Sequence, residues 1–369
     1  MSPIRVAFDG DIFLRERFGG ISRVMTELGV ALRARNDVRV SWPFLFSANA
    51  YLRDAGVRHV DVSGWPNFRG RNTVLALANR ATTAAAALTG RVDVLHATFY
   101  DAGLIAQRRR GRLVVTVHDM IPEKFPAWWG DSGSPHRGKR ELVEAADAVC
   151  VVSRNTAADL VACFGTDPGK LHHVSPAVSD AMIFRGAPRM ALPARYLLFV
   201  GRRNGYKNFN RFFAAAAPLM KARADLHLIC AGARPFDGGE VRMIDAAGLA
   251  GRVRHLGASD AELAELYGRA TLFVFPSLYE GFGVPLLEAF ANGCAAAASD
   301  RGSLPEVGAG ACAHFDPDSE EAMGIAMAAI LDDDGRRRDL AARGLKRAGD
   351  FSWPDSAAAL ASVYRRVTA

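Results

Sequence analysis

Only five of the 369 residues are cysteine (Cys150, Cys163, Cys230, Cys294, Cys312), scattered without a CxxC pair or a regular spacing. An odd, irregular set provides neither a disulfide framework nor a zinc ribbon, and it points to a reducing compartment. The nine histidines form no H-E-x-x-H or comparable ligand spacing, which removes zinc. No apolar run approaches the about 18 residues that cross a bilayer. At the N-terminus Ile4–Phe8 reads as a strand followed at once by Asp9-Gly10-Asp11, so a secretory leader is not expected. No G-x-G-x-x-G follows that strand, and a nicotinamide-dependent dehydrogenase is not supported. An internal repeat of fixed period is also missing. The excess of positive charge is small, 46 Lys and Arg against 39 Asp and Glu for a net +7. Without an aromatic–basic ladder, zinc knuckle or recognition helix it does not indicate nucleic acid. An anionic substrate or an anionic membrane surface accounts for it as well. The expectation is a soluble, cytoplasmic protein.

Half of the residues are hydrophobic and 23% charged, a balance that builds full cores rather than disorder. The length suits two domains. Short apolar runs at 4–8, 38–44, 92–96, 113–117, 148–152 and 171–175 read as strands, followed by a second series at 196–200, 226–231, 253–256, 271–275 and 295–298. Continuous apolar runs of this length suit parallel sheets covered on both faces. Amphipathic helices lie between them. Ile21, Val24, Met25, Leu28 and Leu32 keep helical spacing, and 319–331 and 353–367 also read as helices. The alternation predicts an α/β protein of two Rossmann-like, doubly wound domains, with Pro176, Gly186, Pro188 and Pro193 marking the boundary. Domains are expected at 1–180 and 193–352, with a cleft between the carboxyl ends of their sheets and a helix at 353–369.

Four segments carry chemistry. In Phe275-Pro276-Ser277-Leu278-Tyr279-Glu280-Gly281-Phe282-Gly283-Val284-Pro285-Leu286-Leu287-Glu288, a strand runs into a glycine-broken loop and a helix begins near Pro285. Amides of such a loop and helix start face an anion, and Glu280 and Glu288 flank the turn. Val200-Gly201-Arg202-Arg203-Asn204-Gly205-Tyr206-Lys207-Asn208 places cations and glycines at a strand's carboxyl end, where arginine grips phosphate with paired hydrogen bonds and lysine acts as a point charge. Phe18-Gly19-Gly20-Ile21-Ser22-Arg23 allows close backbone approach to a ligand beside a helix start. Val115-Thr116-Val117-His118-Asp119 ends an apolar strand in a histidine, with an aspartate able to orient the ring or simply cap the strand.

The stretch PSLYEGFGVPLLEAFANG resembles the E-x7-E signature of retaining glycosyltransferase family 4, in its mannosyltransferase-like subgroup. Weaker matches extend the resemblance over nearly the whole chain: Ser153, itself a helix N-cap by type, Gly302-Ser303-Leu304-Pro305-Glu306-Val307, Phe315-Asp316-Pro317 and Phe351-Ser352-Trp353. The resemblance implies a GT-B fold, with an N-terminal acceptor-binding domain, a C-terminal domain for the nucleotide sugar and a last helix that crosses back to the N-terminal domain. It implies a hexosyltransferase that retains anomeric configuration by front-face attack and needs no metal or other cofactor. GDP-mannose leads as donor and UDP-glucose follows. The acceptor is a glycan or lipid-linked saccharide in surface polysaccharide synthesis.

The resemblance further implies that Glu280 and His118 contact the transferred sugar and that Glu288 holds the ribose. Lys207 and one of Arg202 and Arg203 would neutralise the diphosphate, with Gly281, Phe282, Gly283 and Val284 beside it. Gly19 and Gly20 would face the donor phosphates from the N-terminal domain. The strand at Ala295–Ala298 departs from the more β-branched, proline-containing strand usual in the family. Basic stretches at Arg69–Arg80 and Arg108–Arg112 suit peripheral contact with anionic lipid at the inner face of the cell membrane, or a plain solvated loop. Two rival enzymes, a nucleotide-sugar epimerase and a glycosyl phosphorylase, share the architecture. A silent nucleotide-sugar-binding scaffold is the rival from another class. Asp9-Gly10-Asp11 is also a D-x-D string, of the kind that holds manganese or magnesium in single-domain transferases.

Overall fold

A computed structural model of the chain describes residues 2–89, 92–107, 111–128, 136–232 and 234–369. Arg108, Arg109 and Arg110 of the expected basic stretch lie outside the described residues. The chain divides into two compact units, residues 1–176 with 352–369, and residues 177–351.

The first unit holds strands β1 (Ile4–Phe8), β2 (Val38–Ser41), β3 (Phe46–Ser47), β4 (Val60–Asp61), β5 (Val94–Ala97), β6 (Arg112–Val117), β7 (Ala148–Val151) and β8 (Leu171–His173). Six of them form a parallel sheet in the order β2-β1-β5-β6-β7-β8, while β3 and β4 pair separately. Every residue of β5 and β7 is buried, as strands covered on both faces require. The pair β3 and β4 lies outside the expected strands, because two-residue strands carry no periodicity to read. The second strand ends at Ser41 rather than 44, since Pro43 has no N–H to give a ladder. The last helix, Trp353–Thr368, belongs to this unit. Its buried Tyr364 hydroxyl lies 2.6 Å from His96 Nδ1 on β5, and its Ser356 Oγ donates to the Ser175 carbonyl at 2.6 Å.

The second unit holds β9 (Arg195–Val200), β10 (Leu226–Ala231), β11 (Val253–Leu256), β12 (Leu272–Phe275), β13 (Ala296–Ser299) and β14 (Ala313–Phe315), all parallel, in the order β11-β10-β9-β12-β13-β14. That is the doubly wound order in which the sequence of strands reverses between β9 and β12, and ligands bind at the carboxyl ends flanking the reversal. The alanine-rich strand has a packing reason. Ala296 and Ala298 of β13 pair in register with Phe273 and Phe275 of β12, and all four are buried. Small residues here leave room for the two rings, 5.5 Å apart. The three-residue edge strand β14 was not expected, because Ala-His-Phe offers no apolar run. Among the described residues no helix is long and apolar enough to cross a membrane.

Candidate active site

In the second unit the two loops at the switch point come together. The loop after β9 ends in a 3-10 turn, Gly205–Lys207, and the loop after β12 leads into helix Val284–Ala291. Leu278 N donates to the Tyr206 carbonyl at 2.7 Å, and Asn208 Nδ2 reaches the Pro276 and Pro317 carbonyls at 3.2 and 2.7 Å. These bonds register one loop against the other. Lys207 Nζ then meets Glu280 Oε1 at 2.6 Å, with both side chains nearly buried. Burial works against the ammonium, but Glu280 and Tyr206 beside it prevail and hold its pKa above the ordinary lysine value. The lysine is therefore a fixed positive charge at neutral pH, standing over the Phe275 ring at 5.3 Å.

The carboxylate loop is clasped from behind. Ser303 Oγ donates toward the Phe282 carbonyl at 2.7 Å and toward the Glu280 carbonyl at 3.0 Å. Gly302 sits at φ +59 against the Glu280 backbone, where a Cβ would lie 3.0 Å from the carbonyl oxygen. Gly283 is the N-cap of the following helix at φ +100, and a Cβ there would stand 2.7 Å from Leu304 Cδ2. Both positions demand glycine on conformation and on space. Phe282 is buried and packs edge-on against Phe351 at 5.6 Å. Gly281 is buried as well, and Val284 is the first helical residue, with Pro285 following it. Glu288, also buried, accepts from the Tyr267 hydroxyl at 3.1 Å, which fixes one of its oxygens.

The two candidate arginines part company. Arg203 is buried; its Nε meets Glu240 Oε1 at 2.9 Å, and its Nη2 donates to the Arg234 and Pro235 carbonyls at 2.8 Å each. It ties the loop after β9 to the helix Gly238–Ala246. Arg202 is exposed. Sequence reasoning had no means to separate them, because Glu240 lies far along the chain.

In the first unit His118 follows β6. Its backbone N–H donates to the Tyr100 hydroxyl at 3.1 Å, and its ring bonds to the Thr98 backbone. Burial, and to a smaller extent the Lys139 cation, push its pKa down to about 4, so the imidazole is neutral. Its Nε2 is buried without a hydrogen-bond partner among the described residues. Asp119 uses its carboxylate to accept from Ile121 N at 3.0 Å, a cap of the turn that follows. Ser153 is the N-cap of helix Arg154–Phe164, accepting from Thr156 N.

Gly19 is the N-cap and Gly20 the first residue of helix Gly20–Arg33. A carboxylate already lies there: Glu16 Oε2 accepts from Ser22 N at 3.0 Å, and a Cβ on Gly19 would collide with it. Asp9 is buried and accepts from Thr98 N, Thr98 Oγ1 and Asp11 N, while Asp11 pairs with Arg15 at 2.7 Å. The D-x-D string thus serves the turn after β1. Among the described residues no group of three or more His, Cys, Asp or Glu side chains is placed to hold a metal.

Comparison with known proteins matches two family models, glycosyltransferase family 4 over residues 18–181 and glycosyl transferases group 1 over residues 184–347. The alpha-maltose-1-phosphate synthase of Mycolicibacterium smegmatis is 30% identical, with 99% of this chain and 100% of that protein covered. The O-antigen chain mannosyltransferase B of Escherichia coli is 29% identical over 70% of this chain and 71% of its own length. Among solved structures, the sucrose-phosphate synthase of Thermosynechococcus elongatus superposes with a TM-score of 0.76 at 20% identity, covering 98% of each chain. That likeness extends over both parallel-sheet units and establishes the fold.

Proposed function

The chain belongs to glycosyltransferase family 4, whose members move a sugar from a nucleotide sugar, and from that premise we propose that it transfers mannose from GDP-mannose, with retention and without a metal, to a glycan or lipid-linked acceptor in surface polysaccharide synthesis. The observation that carries this reading is the cationic switch point of the second unit. Lys207 is held charged beside Glu280, Arg202 projects to solvent in the same loop, and the helix start after Gly283 adds its amides. Positive charge fixed in advance where a diphosphate departs does the electrostatic work that a divalent ion does elsewhere.

Within this reading Glu280 contacts hydroxyls of the transferred sugar and steadies its positive character, and Glu288 binds the ribose. Neutral His118 meets the sugar through Nε2, and a leaving-group oxygen takes the acceptor's proton. Mannose is favoured by the subgroup resemblance and by the mannosyltransferase relative. Purified protein incubated with GDP-mannose or UDP-glucose in EDTA tests it. GDP release with mannose transfer to a lipid-linked acceptor supports the reading; turnover confined to UDP-glucose, or dependent on manganese, overturns the donor or the metal clause.

The acceptor side includes peripheral contact with anionic lipid at the inner face of the cell membrane. Helix Arg71–Leu88 exposes Val74, Leu77 and Leu88, the preceding loop exposes Trp65 and Phe68, and no acidic residue occurs between Val62 and Val92. An apolar face on a segment that carries cations and no acid of its own is the pattern of an interfacial helix, with Arg80 here already paired to Asp101 and Arg69 and Arg71 left to meet lipid. Flotation with anionic and neutral vesicles checks it. Unchanged binding after charge reversal at Arg69 and Arg71 and at Arg108–Arg112 defeats it.

A further inference from the structure

Lys139 is the first residue of helix Lys139–Ala145 and has no solvent exposure. Both facts oppose it. A buried ammonium loses its hydration, and a cation at a helix start meets the positive end of the dipole. Its contacts explain the place. Nζ donates to the Asp119 carbonyl at 2.8 Å and to Glu123 Oε2 at 2.8 Å, with Met120 Sδ at 3.8 Å. It stands 5.0 Å from the centre of the Tyr100 ring. Gly138 before it brings the helix against the Tyr100 backbone, where a Cβ would be 2.4 Å from the carbonyl oxygen.

These contacts converge on one residue. The carbonyl of Asp119, the residue after His118, is held by Lys139, and the N–H of His118 is held by the Tyr100 hydroxyl, whose ring lies against the same ammonium. The ring itself is tied to Thr98. The backbone about the ring and the ring itself are thus held from two other segments, and Nε2 is left buried and without a partner among the described residues.

We propose that Lys139 is a positioning residue, holding the His118 turn so that Nε2 meets a hydroxyl of the transferred sugar as a hydrogen-bond acceptor. The inference rests on the role given to His118 in the proposed function. The ammonium also discourages protonation of the ring, adding to burial. The other titratable groups around the pair are Tyr100, Asp119, Glu123, His136 and Cys163 about Lys139, and His96 and His136 about His118.

The test compares Lys139→Met, Lys139→Arg and His118→Ala in the full chain, using whichever of GDP-mannose and UDP-glucose the wild type turns over. Lys139→Met is expected to bind the nucleoside diphosphate like wild type, to lose tenfold or more in kcat, and to shift the His118 15N titration toward the ordinary histidine range. Lys139→Arg restores the charge and recovers part of the turnover. If Lys139→Met does not fold, Lys139→Met/Glu123→Leu, which removes both charges, carries the same readouts, and wild-type kcat in it overturns the inference. A wild-type His118 titration and kcat in Lys139→Met, with His118→Ala inactive, also overturns it. Wild-type kcat in His118→Ala instead overturns the role of His118 itself.

Discussion

Lys207 Nζ and Glu280 Oε1 stand 2.6 Å apart although 73 residues separate them in the chain. Each comes from a loop at the carboxyl end of a strand flanking the reversal of strand order, so the sheet topology brings the pair together. On the proposed reading the lysine meets a departing diphosphate and the carboxylate meets the sugar, so removal of the carboxylate is expected to affect turnover rather than nucleotide binding.

Glu280→Ala is expected to lower kcat by ~100-fold or more, as loss of one preorganised electrostatic contact does. Nucleoside diphosphate affinity is expected to survive, because the diphosphate's own negative charge replaces Glu280 in holding Lys207 as the ammonium and Glu288 is untouched. Steady-state kinetics with calorimetric binding of the diphosphate checks this. Lost binding with normal turnover at saturation contradicts the assignment.

Arg202→Ala and Arg203→Ala are expected to fail in different ways. Removing exposed Arg202 weakens diphosphate binding and leaves the urea midpoint in place. Removing Arg203 takes away the nearest cation of buried Glu240 and leaves it Arg234 at 3.6 Å and the Asp237 N–H, a change expected to cost about 1–3 kcal/mol. The pair Arg203→Met/Glu240→Met is expected to recover part of that loss, since the bond from Asp237 N to Glu240 goes with it. Equal stability of the two single variants speaks against the division.

Acid acts through the buried histidines. Burial takes the pKa of His96 down to about 3 and that of His118 down to about 4, below the ordinary value near 6.5. The unfolded chain therefore binds protons that the folded chain refuses. Their contribution is complete above about pH 6.5 and is lost as pH falls toward about 4. Asp9, whose burial raises its pKa to about 7, works in the opposite direction, so the comparison is made against a variant. His96→Gln keeps a polar side chain between the Tyr364 and Thr116 hydroxyls. The stability advantage of wild type over it is expected to shrink between pH 7 and pH 4.5 in urea titrations; a constant difference refutes the assignment.

Much of this was legible in the sequence, for a physical reason. Buried parallel strands advertise themselves as short apolar runs, and the E-x7-E segment encodes strand, loop and helix start within sixteen residues. Glu280, Glu288 and Lys207 were accessible on those grounds. What escaped depends on distant partners. Arg203 looks like a second phosphate ligand until Glu240 is beside it. Lys139, within His136-Arg137-Gly138-Lys139-Arg140, has the composition of a solvated surface turn, yet it has no solvent exposure. The D-x-D string gave no hint that Thr98 would occupy Asp9. Edge strand β14 and the pair β3 and β4 are too short to leave a pattern.

The most direct measurement is a thermal-shift screen of the folded protein against nucleoside diphosphates and their sugars, with EDTA throughout. Ligand that binds only the folded chain stabilises it by about 2.7 kcal/mol at a hundredfold excess over its Kd. A clear shift with GDP and GDP-mannose in EDTA is the expected result, since Lys207, Arg202 and the helix start supply the charge. No shift with any diphosphate, or one that appears only when manganese is added, would contradict a metal-free nucleotide-sugar site.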